Sequence, residues 1–114
     1  MESILTSIKK LLGMDEDYTA FDTDIIIHIN SVFMILTQLG VGPPEGFSIE
    51  DSSSTWIEYT QDNRLIESVK TYIHLKVKLI FDPPSNSALI ESMNKLVKEL
   101  EFRLNVAVDP AGTF

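Results

Sequence analysis

The sequence predicts an all-α fold: a small four-helix domain with a long loop between the second and third helices and an extended C-terminal tail. Three observations carry this expectation. Apolar residues recur at three- and four-residue spacing in four separate segments, the period of a helix that lays one face on a core. Each segment ends at a capping side chain, a glycine or a proline. The chain has 114 residues, 44% of them apolar, which makes one domain with enough apolar mass for a single core.

Residues 2–12 place Ile4, Leu5, Ile8, Leu11 and Leu12 on one helical stripe, with Gly13 where a left-handed cap belongs. An acidic linker, Asp15-Glu16-Asp17, leads to a second helix, for which Asp22 is the expected N-cap, Asp24 a favourable first-turn acid and Phe21 a staple onto Ile26. This helix should reach about Leu39. Its apolar residues, among them Ile25, Ile26, Ile27, Ile29, Phe33 and Leu36, occupy more than one face, so it is either central or shared with a neighbour.

Residues 40–54 hold three glycines, two prolines and four serines. They read as a long contact loop, with a short strand at 47–50. Residues 55–59 read as a helical turn that plants Trp56 on the core, with a strand as the rival. Asp62 or Asn63 then caps a third long helix, whose stripe is Leu65, Ile66, Val69, Tyr72, Ile73, Val77 and Ile80. At 1.5 Å per residue it is roughly 28 Å long, and Pro83 stops it after Phe81. Ser85, Asn86 and Ser87 offer caps for the last helix, with Leu89, Met93, Leu96, Val97, Leu100 and Leu104 on its stripe, antiparallel to the one before. After Asn105 the pattern fails, so the expected division is a helical domain at 1–105 and an extended tail at 106–114.

Composition removes several functions. Nine Lys and Arg against seventeen Asp and Glu leave a net charge of −8, a poor balance for gripping nucleic acid, which demands clustered cations. There is no cysteine, hence no disulfide and no thiolate site. No apolar run approaches the ~18 residues of a membrane span. The N-terminal segment carries an acid and two lysines where a signal peptide would be apolar, so a soluble protein made in the cytoplasm is expected.

No catalytic or metal constellation emerges, and neither an enzyme nor a cofactor is expected. Neither His28 nor His74 has a second histidine or a carboxylate three or four residues further on, and both read as packing residues. Asp15, Asp17 and Thr19 imitate the start of a calcium loop, but Ala20 and Ile26 stand where the required glycine and glutamate would be. Carboxylate neighbours such as Glu50 with Asp51, or Glu99 with Glu101, read as solvated faces, and Lys95 and Lys98 as partners of nearby glutamates.

Beyond these readings, the stretch from Leu12 to Val106 resembles the small head-tail connector (adaptor) proteins of long-tailed bacteriophages and related prophages. FDTDIIIHINSVFMILTQLGVGPPEGFSI, the Thr55-Trp56 pair and VKTYIHLKVKLIFDPPSNSALIESMNKLVKELEFRLNV carry the resemblance, specific in combination through QLGVGPP, LIFDPP and ELEFRLNV. It implies a subunit that assembles with itself, as about a dozen copies, into a ring beneath the portal protein. The ring would extend the DNA channel and offer a docking surface to head-completion or tail proteins, with DNA only in non-specific passage and the finished protein in the virion. On this reading Val106, Ala107, Val108, Asp109 and Pro110 dock on the portal as an added strand. Val41, Pro43, Pro44, Phe47 and Ile49 contact a ring neighbour or partner. A small acidic helical regulator or antitoxin-like dimer accounts for the same charge and surplus apolar face, but gives the tail no task.

Overall fold

The structure, a computed structural model, describes residues 2–108. Its helices are α1 (Ile4–Leu11), α2 (Asp22–Gln38), the short α3 (Trp56–Tyr59), α4 (Asn63–Phe81) and α5 (Ser87–Val108). The breaks fall where side-chain chemistry puts them. Gly13 and Gly40 take φ of +81° and +85°. At each, the next residue's amide turns back to the last helical turn, Met14 to the Lys9 carbonyl and Val41 to that of Leu36. Asp62 accepts from the Arg64 and Leu65 amides, and Asn86 accepts from those of Ala88 and Leu89.

The long helix α4 is the axis of the molecule. It packs on α1, α2 and α5 and gives each a different face. Lys70, His74 and Phe81 meet Glu2, Leu11 and Phe21 on the α1 side, while Tyr72 donates to Glu101 of α5 at 2.6 Å. Ile66, Val69, Ile73 and Val77 belong to the common core with Ile25, Ile29, Val32, Phe33 and Leu36 of α2. The described chain is a slab of 44 × 36 × 20 Å, and the residues α5 buries are Met93, Val97 and Leu104.

Trp56 is where the helical turn at 55–59 earns its place. Its ring is 1% exposed, and its indole N–H donates to Ser7 Oγ at 2.8 Å, which donates onward to the Ile4 carbonyl. Burying an indole costs little once that one donor is met. The N-terminal segment closes over it: the Ile4 amide donates to the Ser54 carbonyl, and Ser3 forms an isolated bridge with Thr55.

Four expectations change. Asp22 is the first residue of α2 and not its cap; Phe21 precedes the helix without a capping side chain, because the Asp22 carboxylate is drawn to Lys9 instead. Residues 47–50 are no strand. Asn30 of α2 supplies both halves of a ladder partner, its amide N donating to the Ile49 carbonyl at 2.9 Å and its oxygen accepting the Ile49 amide at 2.8 Å, so the loop is held without a second strand. Lys95 and Lys98 form no ion pair among the described residues; Arg103 takes Glu99, and Glu101 goes to Tyr72.

The last helix does not end at Asn105. It continues through Val106, Ala107 and Val108, because Asn105 donates to the free Leu39 carbonyl at the end of α2 and Val108 lies against Gly40, 3.5 Å from where a Cβ would stand. Two contacts with α2 thus extend a helix whose own periodicity had faded. Asp109 and Pro110, with the rest of the expected tail, lie outside the described residues.

Candidate assembly surfaces

The loop at 40–54 was expected to supply contact residues, and the structure divides them. Val41 and Ile49 are core residues, 1% and 2% exposed, so they hold the loop down and are not offered to a neighbour. Phe47 is half-buried, edge-on to Phe33 at 5.1 Å and Tyr59 at 5.2 Å. Pro43 is half-buried and Pro44 exposed, which leaves Pro44 and the outer edge of Phe47 as accessible apolar surface. Tyr59 lies beneath Gly42, whose backbone at φ +83° approaches the ring so closely that a Cβ would sit 2.5 Å from the hydroxyl. Burial pushes that hydroxyl's pKa up to about 12.

The face of α2 turned away from the core is unusual in its charge. No Asp, Glu, Lys or Arg occurs from residue 25 to 44, although charged residues are 23% of the chain. On that face Ile27 is 55% and Met34 65% exposed, and Met34 runs into a shallow groove shared with Thr37, Gly46 and Phe47. A water-facing helix normally carries charge on its outer side. An outer face lacking charge and carrying methionine has the composition of a protein contact.

A second apolar surface follows α5, where Leu89 and Leu96 are 51% and 42% exposed. The residues expected to lie on the core stripe of this helix are therefore split, Met93, Val97 and Leu104 inward and these two leucines outward. A third is the aromatic corner of Tyr18, Phe21 and Phe81, whose rings meet edge-on at 5.8 and 5.4 Å.

Lys9 organises that corner from below, which the sequence reading missed. It is 2% exposed, with its ammonium donating to the carbonyls of Glu16 and Tyr18 at 3.0 and 2.7 Å and lying 2.8 Å from Asp22 Oδ1. The signal was present: Lys9 stands four residues after Leu5 on the buried stripe of α1. The loop that imitated a calcium site is wrapped around this internal cation. Among the described residues no group of three or more His, Cys, Asp or Glu is placed to hold a metal.

The histidines are packing residues, as expected. His28 lies 6.5 Å from the Phe81 ring. Burial and the nearby Lys78 hold the His74 pKa below its ordinary value, opposed by a hydrogen bond with the Leu11 backbone; its Nε2 is buried without a partner. The exposed Asp51 carboxyl is held down by hydrogen bonds from the Ser53 hydroxyl and amide, a local turn and no acid-base pair. No helix is long and apolar enough to cross a membrane among the described residues.

This helical chain, with three exposed apolar surfaces among the described residues, matches a model of the phage connector protein family over residues 4–111. The chain belongs to the phage connector proteins. Neither the curated proteins nor the solved structures returned a match. The match extends over nearly the whole chain, so the connector fold spans all five helices. Connectors are structural proteins of the virion, and this one is built for contact with other virion proteins such as portal or tail.

Proposed function

We propose that this connector is the subunit of a ring, about a dozen copies, that sits below the portal, lengthens the DNA channel and receives head-completion or tail proteins. The observation that supports it most is the outer face of α2, free of charge from residue 25 on and with Ile27 and Met34 exposed, in a chain whose family joins virion parts. Leu89 and Leu96 form a different apolar surface on another helix. Two unlike surfaces on one subunit suit head-to-tail assembly, which closes into a ring, better than a two-fold dimer.

The net charge of −8 suits a channel wall, since a negative surface repels phosphate and lets DNA slide past. The C-terminal segment from Val106 onward is the proposed portal contact. Val106, Ala107 and Val108 reach it as the end of a helix, and Asp109 and Pro110 follow beyond. The chain is made in the host cytoplasm and carried in the finished virion.

Light scattering on a size-exclusion column, over a concentration series with and without purified portal ring, tests this. A species of about a dozen 12.8 kDa subunits, free or on the portal, is expected. A concentration-independent dimer that ignores the portal would overturn the reading in favour of a regulator.

A further inference from the structure

We infer that the aromatic corner of Tyr18, Phe21 and Phe81 receives a segment of another virion protein, one that presents Lys or Arg side chains beside apolar ones. This rests on the part of the reading above in which the subunit docks a partner, and it holds whatever number of copies closes the ring.

The corner is an apolar groove built in advance. Phe21 stands between Tyr18 and Phe81, with ring centroids 5.8 and 5.4 Å apart, and Met14 lies alongside. Tyr18 is 51% and Phe21 41% exposed. The row is as long as about three residues of extended chain. The loop that carries it is tied from below: the Glu16 and Tyr18 carbonyls accept from the buried Lys9 ammonium. Across its turns the Tyr18 amide donates to the Asp15 carbonyl and the Asp22 amide to that of Thr19. A partner therefore meets rings that are already ordered, which spares it the entropy of fixing them.

Charge says what fits. Between Lys10 and Arg64 the chain has no Lys or Arg, and ten of its seventeen acids lie there. Asp15 and Asp17 line the groove; Glu16 is between them, and Asp24 stands one turn after Phe21 on α2. All four are exposed, and none is in an ion pair among the described residues. The other elements that meet here bring Lys10, in the last turn of α1, and the Lys78–Asp82 pair of α4, too little to neutralise them. Ring faces and carboxylates both attract cations. A cation flanked by apolar side chains satisfies the groove and its rim together, whereas an acidic segment or a phosphate backbone is repelled.

A second copy suits the site less well. It carries its own net charge of −8 and sets Lys95 between Glu91 and Glu99 on α5, so it brings no surplus of cations.

The test uses the full chain labelled with nitrogen-15 and three blocked peptides: Arg-Leu-Arg-Leu-Arg, Glu-Leu-Glu-Leu-Glu and Arg-Ser-Arg-Ser-Arg. The first should move the amides of residues 13–24 and of Phe81, and bind at least roughly tenfold more tightly than either of the others. Asp15→Asn with Asp17→Asn should weaken it roughly tenfold; Asn keeps the acceptor that Asp15 offers to the Asp17 amide, so the loop stays folded. Tyr18→Ser should weaken it similarly, because the carbonyl that Lys9 holds belongs to the backbone. Met34→Ser and Glu50→Gln, an exposed apolar residue and an exposed acid elsewhere, should change nothing.

Equal binding of the acidic or the serine peptide would overturn the proposal. So would shifts centred on the acids of residues 45–62, or full affinity in the Asp15/Asp17 variant. Shifts of the same corner amides on concentrating the protein alone, blocked by Tyr18→Ser, would give the site to a second copy instead. Light scattering with portal ring reads the ring separately: a chain that stays monomeric there yet binds the basic peptide at the corner would remove the ring and leave this site standing.

Discussion

Gly42, Lys9 and His74 each have one feature that decides what they contribute. Gly42 combines a left-handed backbone with the Tyr59 ring against its α-carbon, whereas Gly13 has the same backbone angle with nothing within 4 Å. Gly42→Ala should therefore cost about 2–4 kcal/mol, strain plus clash, and Gly13→Ala only about 1 kcal/mol, as read by urea denaturation. Lys9 answers two loop carbonyls and the Asp22 carboxylate from inside the protein. Replacing it with Met should cost roughly 2–3 kcal/mol, below the usual toll of a broken buried pair because Asp22 keeps some solvent; Lys10→Met, on the exposed side, should leave the midpoint unchanged. The depressed His74 pKa means that the unfolded chain binds a proton more readily than the folded one. Stability is then complete above the ordinary histidine value of 6.5 and falls as pH drops below it. Denaturation midpoints measured from pH 7.5 to 5 should decline less in His74→Gln than in the parent.

At the level of elements, helices explain themselves and the loop does not. The caps at Asp62 and Asn86, the glycine ends at Gly13 and Gly40, and the stop before Pro83 can all be read from the chain, because each acts on neighbours within one turn. Nothing local says that Asn30 would hold Ile49 from nineteen residues away, so the segment reads as a strand when its partner is a side chain. Asn30→Ala leaves the Ile49 amide and carbonyl without partners in a half-buried site, and about 1–3 kcal/mol should be lost. Hydrogen exchange at the Ile49 amide should rise by more than it does along α4, since the loop opens before the core. The same reasoning covers the end of α5. Its last turn exists because Asn105 and Val108 find Leu39 and Gly40, contacts that no window of sequence displays.

For the whole molecule, the consequence is an axis, α4, with α1, α2 and α5 disposed around it and two apolar stripes left facing outward. Deleting residues 109–114 should leave the unfolding midpoint within error of the parent while removing portal binding, on the proposed role of the tail. Deleting 106–114 should in addition lower stability by about 1 kcal/mol, since Val108 leaves its place against Gly40. Equal portal affinity in the parent and both truncations, measured by co-sedimentation with portal rings, would place the portal contact elsewhere.

The helical fold and most helix ends, those at Gly13, Gly40, Asp62, Phe81 and Asn86, were legible along the chain because capping, periodicity and breakers are short-range effects. Burial is not. Val41 and Ile49 look like any other apolar loop residues, Leu89 and Leu96 like any other members of a core stripe, and Lys9 like a solvated cation. Packing separated them: α4 is too narrow a surface to cover all of α5, Asn30 pulls Ile49 inward, and the acidic linker folds its carbonyls onto Lys9. Which apolar residues are spent inside the subunit, and which remain to meet a neighbour, follows from where three helices stand around a fourth, a relation set by contacts between residues far apart in the chain.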